Sequence, residues 1–162
     1  MNTTADASPA KTSMKVQIRR GQLEDKNQVF ALAQQFTTGR EPITRDEFTV
    51  VFETILQERE FESSVLFVAV DEETSQIVGY TLLSVSRLLH AAGLSGHLHE
   101  LVVDTASRGE GVGESLINAN ERYCAGRGVR QLSASTGRIG TFYNHLGFEA
   151  VGEHYRKLLN AW

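Results

Sequence analysis

Val102-Val-Asp-Thr-Ala-Ser-Arg-Gly-Glu-Gly-Val-Gly113 puts a strand, a tight turn and the start of a helix into one short stretch. Gly109, Gly111 and Gly113 stand where side chains would block an approaching ligand, and glycine tolerates the backbone angles such a turn needs. The first amides of a helix lack intrahelical partners and carry the positive end of its dipole, so this turn can bind an anion such as a pyrophosphate without a basic side chain. No Lys-Ser or Lys-Thr follows the glycines, which excludes the P-loop. The turn follows the fourth strand rather than opening a βαβ unit, which argues against a dinucleotide fingerprint.

Upstream, Val16 to Ile18 is a short strand, and Val29, Leu32, Ala33 and Phe36 recur at helical spacing until Gly39. Thr44 and Glu47 form a T-x-x-E capping box ahead of Phe48, Val51, Phe52, Ile55 and Leu56, predicting a helix to about Arg59. Ser64 to Val70 and Ile77 to Val85 are β-rich around a turn-like Asp71 to Gln76, which suggests an antiparallel pair with Gly79 marking a bulge. His90 to Gly96 is expected to be a flexible connection into a strand over His97 to Val103. The helix after the glycine turn has Val112, Leu116, Ala119 and Tyr123 as its buried stripe. Downstream come a strand around Arg130 to Ala134, a helix from about Ile139 to Leu146 closed by Gly147, and two β-like pieces, Phe148 to Val151 and His154 to Leu159. The order β-α-α-β-β-β-α-β-α-β-β favours a mixed α/β fold, a sheet with helices on its faces.

At 162 residues the chain fits one domain, expected over residues 14–162 behind a loose polar tail, Met1 to Ser13. The 41% hydrophobic and 22% charged content is ordinary for a soluble protein, and no apolar run approaches membrane-helix length. A lone Cys124 cannot form an internal disulfide and no secretory signal is seen, so the cytoplasm is the expected location. A formal net charge of -4 argues against a nucleic-acid surface. The scattered histidines lack metal-ligand spacing.

The stretch Arg108-Gly-Glu-Gly111-Val-Gly113, together with Phe142-Tyr143-Asn-His-Leu146-Gly147-Phe148 at the separation between them, resembles the two signatures of the GNAT superfamily of acyl-CoA-dependent N-acetyltransferases. The resemblance is strongest from His97 to Leu159. It implies a twisted mixed sheet of six to seven strands with about four helices on its faces, and acetyl-CoA lying between splayed strands four and five. It places the pantetheine against the backbone of Leu101, Val102 and Val103. The pyrophosphate then falls on the amides of Arg108, Gly109, Glu110, Gly111, Val112, Gly113, Glu114 and Ser115, with Thr136 and Tyr143 on the opposite wall. Two departures stand out: Glu110 replaces a usual Lys or Arg, and Thr136 a usual Asn, both of which would weaken phosphate binding.

Amide formation from a thioester needs a neutral amine, a stabilised oxyanion and a proton for the departing thiolate. The resemblance implies Glu100 as base or ammonium binder, Tyr143 as general acid, and the amide of Val102 or Val103 as oxyanion donor. His97 and His99 are secondary candidates for relaying a proton or touching the acceptor; alternation sets them on one face of the strand and Glu100 on the other unless a bulge intervenes. Cys124 suits a buried filler better than a nucleophile. Acidic Glu41, Asp46, Glu47 and Glu53 suggest a small cationic amine as acceptor. The alternatives are a protein or peptide amine, or a non-catalytic acyl-CoA-binding regulatory module. The segment after Gly152 could pair with a second subunit to make a homodimer.

Overall fold

The run Ser64–Asp71 is apolar on both faces because it is covered on both, and it forms strand β2 near the centre of a sheet. In the computed structural model, which describes residues 13–36, 42–58, 63–136 and 140–159, β2 lies between β1 (Val16–Arg20) and β3 (Ile77–Leu88). Strand β4 (Gly93–Val103) follows β3, and β5 (Val129–Ala134) closes the order β1-β2-β3-β4-β5. All neighbours are antiparallel except β4 and β5, which are parallel. Helices α1 (Lys26–Ala33) and α2 (Arg45–Gln57) pack on one face around Val29, Leu32, Phe52, Val68, Tyr80 and Val102. Helix α3 (Val112–Gly126) packs on the other, setting Leu116 and Ile117 against Val65, Leu83 and Leu98. A short α4 (Gly140–His145) follows β5.

Local chemistry explains the boundaries. Thr44 Oγ1 accepts from the Glu47 amide while the Glu47 carboxylate accepts from the Thr44 amide, a reciprocal cap that starts α2 where the sequence places it. The β2–β3 register slips between Ala69 and Val70, opposite Gly79, as the sequence suggests. Gly79 is required there for another reason as well, since a Cβ would lie 2.8 Å from the Val102 carbonyl oxygen. Gly147, at φ 84°, closes α4, with the Phe148 amide bonded back to the Tyr143 carbonyl.

Three expectations need correction. His90 to Gly96 is not a flexible connection throughout: Gly93 to Gly96 are strand, paired with Val85 to Leu88. Gly96 sits there because a Cβ would press on Cys124 Sγ at 3.1 Å, a close-approach requirement that ordinary strand propensity does not register. Phe148–Val151 and His154–Leu159 are not strands, so among the described residues the sheet has five strands rather than six to seven. These residues alternate like strands, yet no strand edge pairs with them, and 151–159 are exposed throughout. Third, α1 ends at Ala33, which leaves Phe36 outside it. Gly39, Glu41, Arg59, Ile139 and nearly all of the N-terminal tail lie outside the described residues.

Candidate active site

Register makes the cleft. The parallel pairing of β4 with β5 stops at Leu98 opposite Ala134, while β4 continues to Val103. The backbone of 99–103 facing β5 therefore has no strand to pair with, and a cleft of about 810 Å³ opens there. Leu98, His99, Leu101, Val102 and Val103 form one wall; Ser135, Thr136, Phe142 and Tyr143 form the other.

The glycine turn closes one end. Gly109 and Gly111 have φ values of 76° and 85°, left-handed angles that favour glycine, and Gly111 is the N-cap of α3. The Ser115 amide donates to Gly111 O at 3.0 Å as the first bond of α3, so the amides of Val112, Gly113 and Glu114 before it have no intrahelical acceptor. These helix-start donors stand at the positive end of the α3 dipole. Arg108, Gly109, Gly111, Val112, Gly113 and Glu114 line the cleft; Glu110 and Ser115 do not. Arg108 turns its Nε toward Val103 O at 3.3 Å. Gly113 lies under Phe142, whose ring would be 3.2 Å from a Cβ. Gln35 braces the turn by donating to Asp104 Oδ1 and accepting from the Thr105 amide.

A bulge sets the chemistry of the other end. Leu82 pairs with Glu100 and Leu83 with Leu98, so His99 is an extra residue on β4. Leu98 packs on the α3 side together with Leu101 and Val103, while Val102 belongs to the core under α1 and α2. The alternation thus changes phase between 98 and 101, and Glu100 shares the face of Tyr80 and Val102. The condition set by the sequence, a bulge between the histidines and Glu100, is met.

Glu100 accepts a 3.1 Å hydrogen bond from Tyr80 Oη. Burial pushes its carboxyl above the usual glutamate range, against the opposing pull of the Tyr80 hydrogen bond and the nearby His99. Glu100 stands beside the cleft rather than among its lining residues. His99 does line it, its Nε2 2.7 Å from Ser84 Oγ and its ring 4.7 Å from that of His97. His97 Nδ1 lies 2.8 Å from Ser133 Oγ and Nε2 3.4 Å from Ser135 Oγ, which in turn is 3.4 Å from His154 Nδ1. Burial chiefly, then the neighbouring His99 and His154, lower the His97 pKa and favour the neutral ring. Tyr143 packs edge-on to Phe142 and Phe148, and burial raises its pKa, so it holds its proton at neutral pH. Its hydroxyl has no hydrogen-bond acceptor among the described residues.

Other candidates lie elsewhere. Glu47 is occupied in the α2 cap, Glu53 pairs with Lys26 at 3.1 Å, and neither they nor Asp46 line the cleft. Cys124 is buried, and desolvation raises its pKa, which suits a filler. Among the described residues no group of His, Cys, Asp or Glu could hold a metal ion, and no helix is long and apolar enough to cross a membrane. Sequence reasoning did not single out Tyr80, Gln35, Ser107 or Ser135. Each sits in an ordinary strand or turn context, and only three-dimensional register brings it to the site.

The Acetyltransferase (GNAT) domain family model matches residues 22–158. The chain belongs to the GNAT acetyltransferase family. Acetyltransferases of this family use acetyl-CoA. A rice (Oryza sativa subsp. japonica) protein, "Glucosamine 6-phosphate N-acetyltransferase 1", is 28% identical over 109 residues, 66% of this chain and 65% of its own length. The match thus spans a little under two thirds of that relative. Among solved structures, a transcriptional regulator from Bacillus halodurans C-125 shares the fold at TM-score 0.79 and 22% identity, over 90% of this chain and 100% of the other. Glucosamine-6-phosphate N-acetyltransferase from Arabidopsis thaliana does so at TM-score 0.74 and 23% identity, over 90% and 99%.

Proposed function

We propose that this GNAT acetyltransferase moves the acetyl group of acetyl-CoA to the primary amine of a small-molecule acceptor by direct attack in a ternary complex. The observation that carries the reading is the split between β4 and β5, with free helix-start amides at one end and Tyr143, His99 and the Glu100 bulge toward the other. The amides of Arg108 to Glu114 hold the pyrophosphate, and Thr136 lines the opposite wall. The unpaired backbone of Leu101 to Val103 takes the pantetheine. The fit is chemical: helix-start N–H donors at the glycine turn, and a channel whose far wall sets the rings of Phe142 and Tyr143 beside Ser135 and Thr136.

Glu100 takes the proton of the acceptor ammonium, directly or through a water, and the freed amine nitrogen bonds to the thioester carbonyl carbon. An amide of Val102 or Val103 donates to the oxyanion. As the C–S bond breaks, Tyr143 Oη gives its proton to the leaving sulfur, the nitrogen gives up its second proton to the resulting tyrosinate through a water, and Glu100 returns the first proton to solvent. His97 and His99 contact the acceptor or help carry its proton away.

The names of the relatives make glucosamine 6-phosphate the first amine to try, followed by small cationic amines. The test is free-thiol release from acetyl-CoA across a panel of amino sugars, polyamines, amino acids and peptide N-termini, with acetyl-CoA binding followed by calorimetry. Binding with turnover for one small amine supports the proposal. Turnover only with peptides redirects it to a protein amine, and binding without turnover for any amine points to an acyl-CoA sensor.

The C-terminal segment is proposed to join two copies. It carries Glu149 and Glu153 before Arg156 and Lys157, so antiparallel pairing of two such segments tends to set acid opposite base. Val151, Tyr155 and Leu159 are 83–90% exposed in the single chain.

A further inference from the structure

The proposed base is a half-buried carboxylate, and such a carboxylate is useful only if something fixes which of its oxygens is available. Glu100 reaches the site through the His99 bulge. Two cross-strand pairs, Leu82 with Glu100 and Tyr80 with Val102, bring Tyr80 diagonally beside it on the same face. The Tyr80 ring is 2% exposed and belongs to the core with Val29, Leu32, Phe52 and Val102, so its position is set by packing from α1, α2 and β2. Its hydroxyl donates to Glu100 Oε2 at 3.1 Å, and among the described residues no other side chain donates to that carboxylate.

We infer that Tyr80 is a positioning residue for Glu100: anchored in the core, its hydroxyl holds Oε2 and leaves the other carboxylate oxygen to receive the acceptor's proton. The inference rests on the reading of Glu100 as the base. Supporting chemistry runs the same way. Burial and the neighbouring Glu100 charge drive the Tyr80 phenol far above its ordinary pKa, so it donates at every working pH. A donated hydrogen bond favours the ionised carboxylate and offsets part of its desolvation. The titratable groups facing Glu100 are Tyr80 from β3 and His99 beside it on β4. From α1 and α2 the core side chains packed on Tyr80, Val29, Leu32 and Phe52, are apolar. Ser133 and Ser135 of β5 are uncharged and sit by His97.

The experiment is carbon-13 NMR titration of the glutamate carboxyls in wild type, Tyr80→Phe and Glu100→Gln, the last identifying the Glu100 resonance by its loss. Turnover against pH is measured in parallel with the best amine of the panel. Tyr80→Phe keeps the packed ring and loses only the donor. The expected result is a Glu100 titration moved upward by about one pH unit, the scale of a charge-assisted hydrogen bond. The acid limb of kcat should move with it, while the KM for acetyl-CoA stays constant. An unmoved Glu100 titration in Tyr80→Phe overturns the inference even if Glu100→Gln is inactive. Full turnover in Glu100→Gln overturns it through the base reading on which it rests, and the NMR arm separates the two failures.

Discussion

At the residue scale, burial favours the protonated form of both proposed catalytic groups, which serves one and hinders the other. Burial keeps the proton on Tyr143, which a general acid needs, and works against ionisation of Glu100, which a base must overcome. Tyr143→Phe should lower kcat by about a hundredfold or more while leaving acetyl-CoA binding nearly unchanged, because the role proposed for its hydroxyl is at the leaving sulfur. Steady-state kinetics with calorimetry checks the split. Glu100 also predicts a stability signature. Its folded pKa lies above the ordinary 4.5, so the folded protein binds more protons than the unfolded chain between those values. Stability therefore declines as pH rises through that window. Glu100→Gln, which keeps an acceptor for Tyr80, should be more stable than wild type above the window and equal to it near pH 4, by chemical denaturation at several pH values.

At the scale of elements, the glycine turn and α3 act as one part. Gly113 and Gly111 are constrained differently, and substitution should separate the constraints. Gly113→Val drives a branched side chain toward the Phe142 ring and into the cleft, and should weaken acetyl-CoA binding by about tenfold or more at modest cost in stability. Gly111→Ala meets no atom within 4 Å but must hold φ 85°, so the expected penalty is about 1–2 kcal/mol of stability. Calorimetry and denaturant melts on both variants test the distinction.

The same elements show how far sequence carried. The turn, the α2 cap and the aromatic-Tyr signature were legible because each depends on neighbours a few residues apart. The face on which Glu100 lies was not legible, because one extra residue, His99, decides it, and a bulge is a property of pairing between two strands. Gly93 to Gly96 looked like a loop for a similar reason: their glycines answer to Cys124 and to β3, both distant in sequence. Phe148 to Leu159 failed in the other direction. Alternation describes what a segment suits, and a strand also requires an edge to pair with.

For the whole molecule, that segment outside the sheet is the exposed part. Residues 151–159 are all exposed, with Val151 at 90%, Tyr155 at 83%, Leu158 at 58% and Leu159 at 83%. So much apolar surface on one extended piece of chain is what an interface displays before it is covered. Two-fold pairing would put the same segment of each copy against the other, and the acid-then-base order from Glu149 to Lys157 fits an antiparallel arrangement. His154 ties the segment to the site, since it lies by Ser135 at 3.4 Å and adds to the charge that keeps His97 neutral. Association should therefore be felt at the cleft as well as at the surface. Light scattering after size exclusion should give twice the chain mass for wild type and a monomer for Arg156→Glu with Lys157→Glu, where all four charges become acidic. Adding Glu149→Lys and Glu153→Lys to that protein restores the complementarity with inverted sign, and should restore the dimer. A monomeric wild type removes the second copy from the proposal, while a dimer indifferent to both sets of changes moves the interface away from this segment.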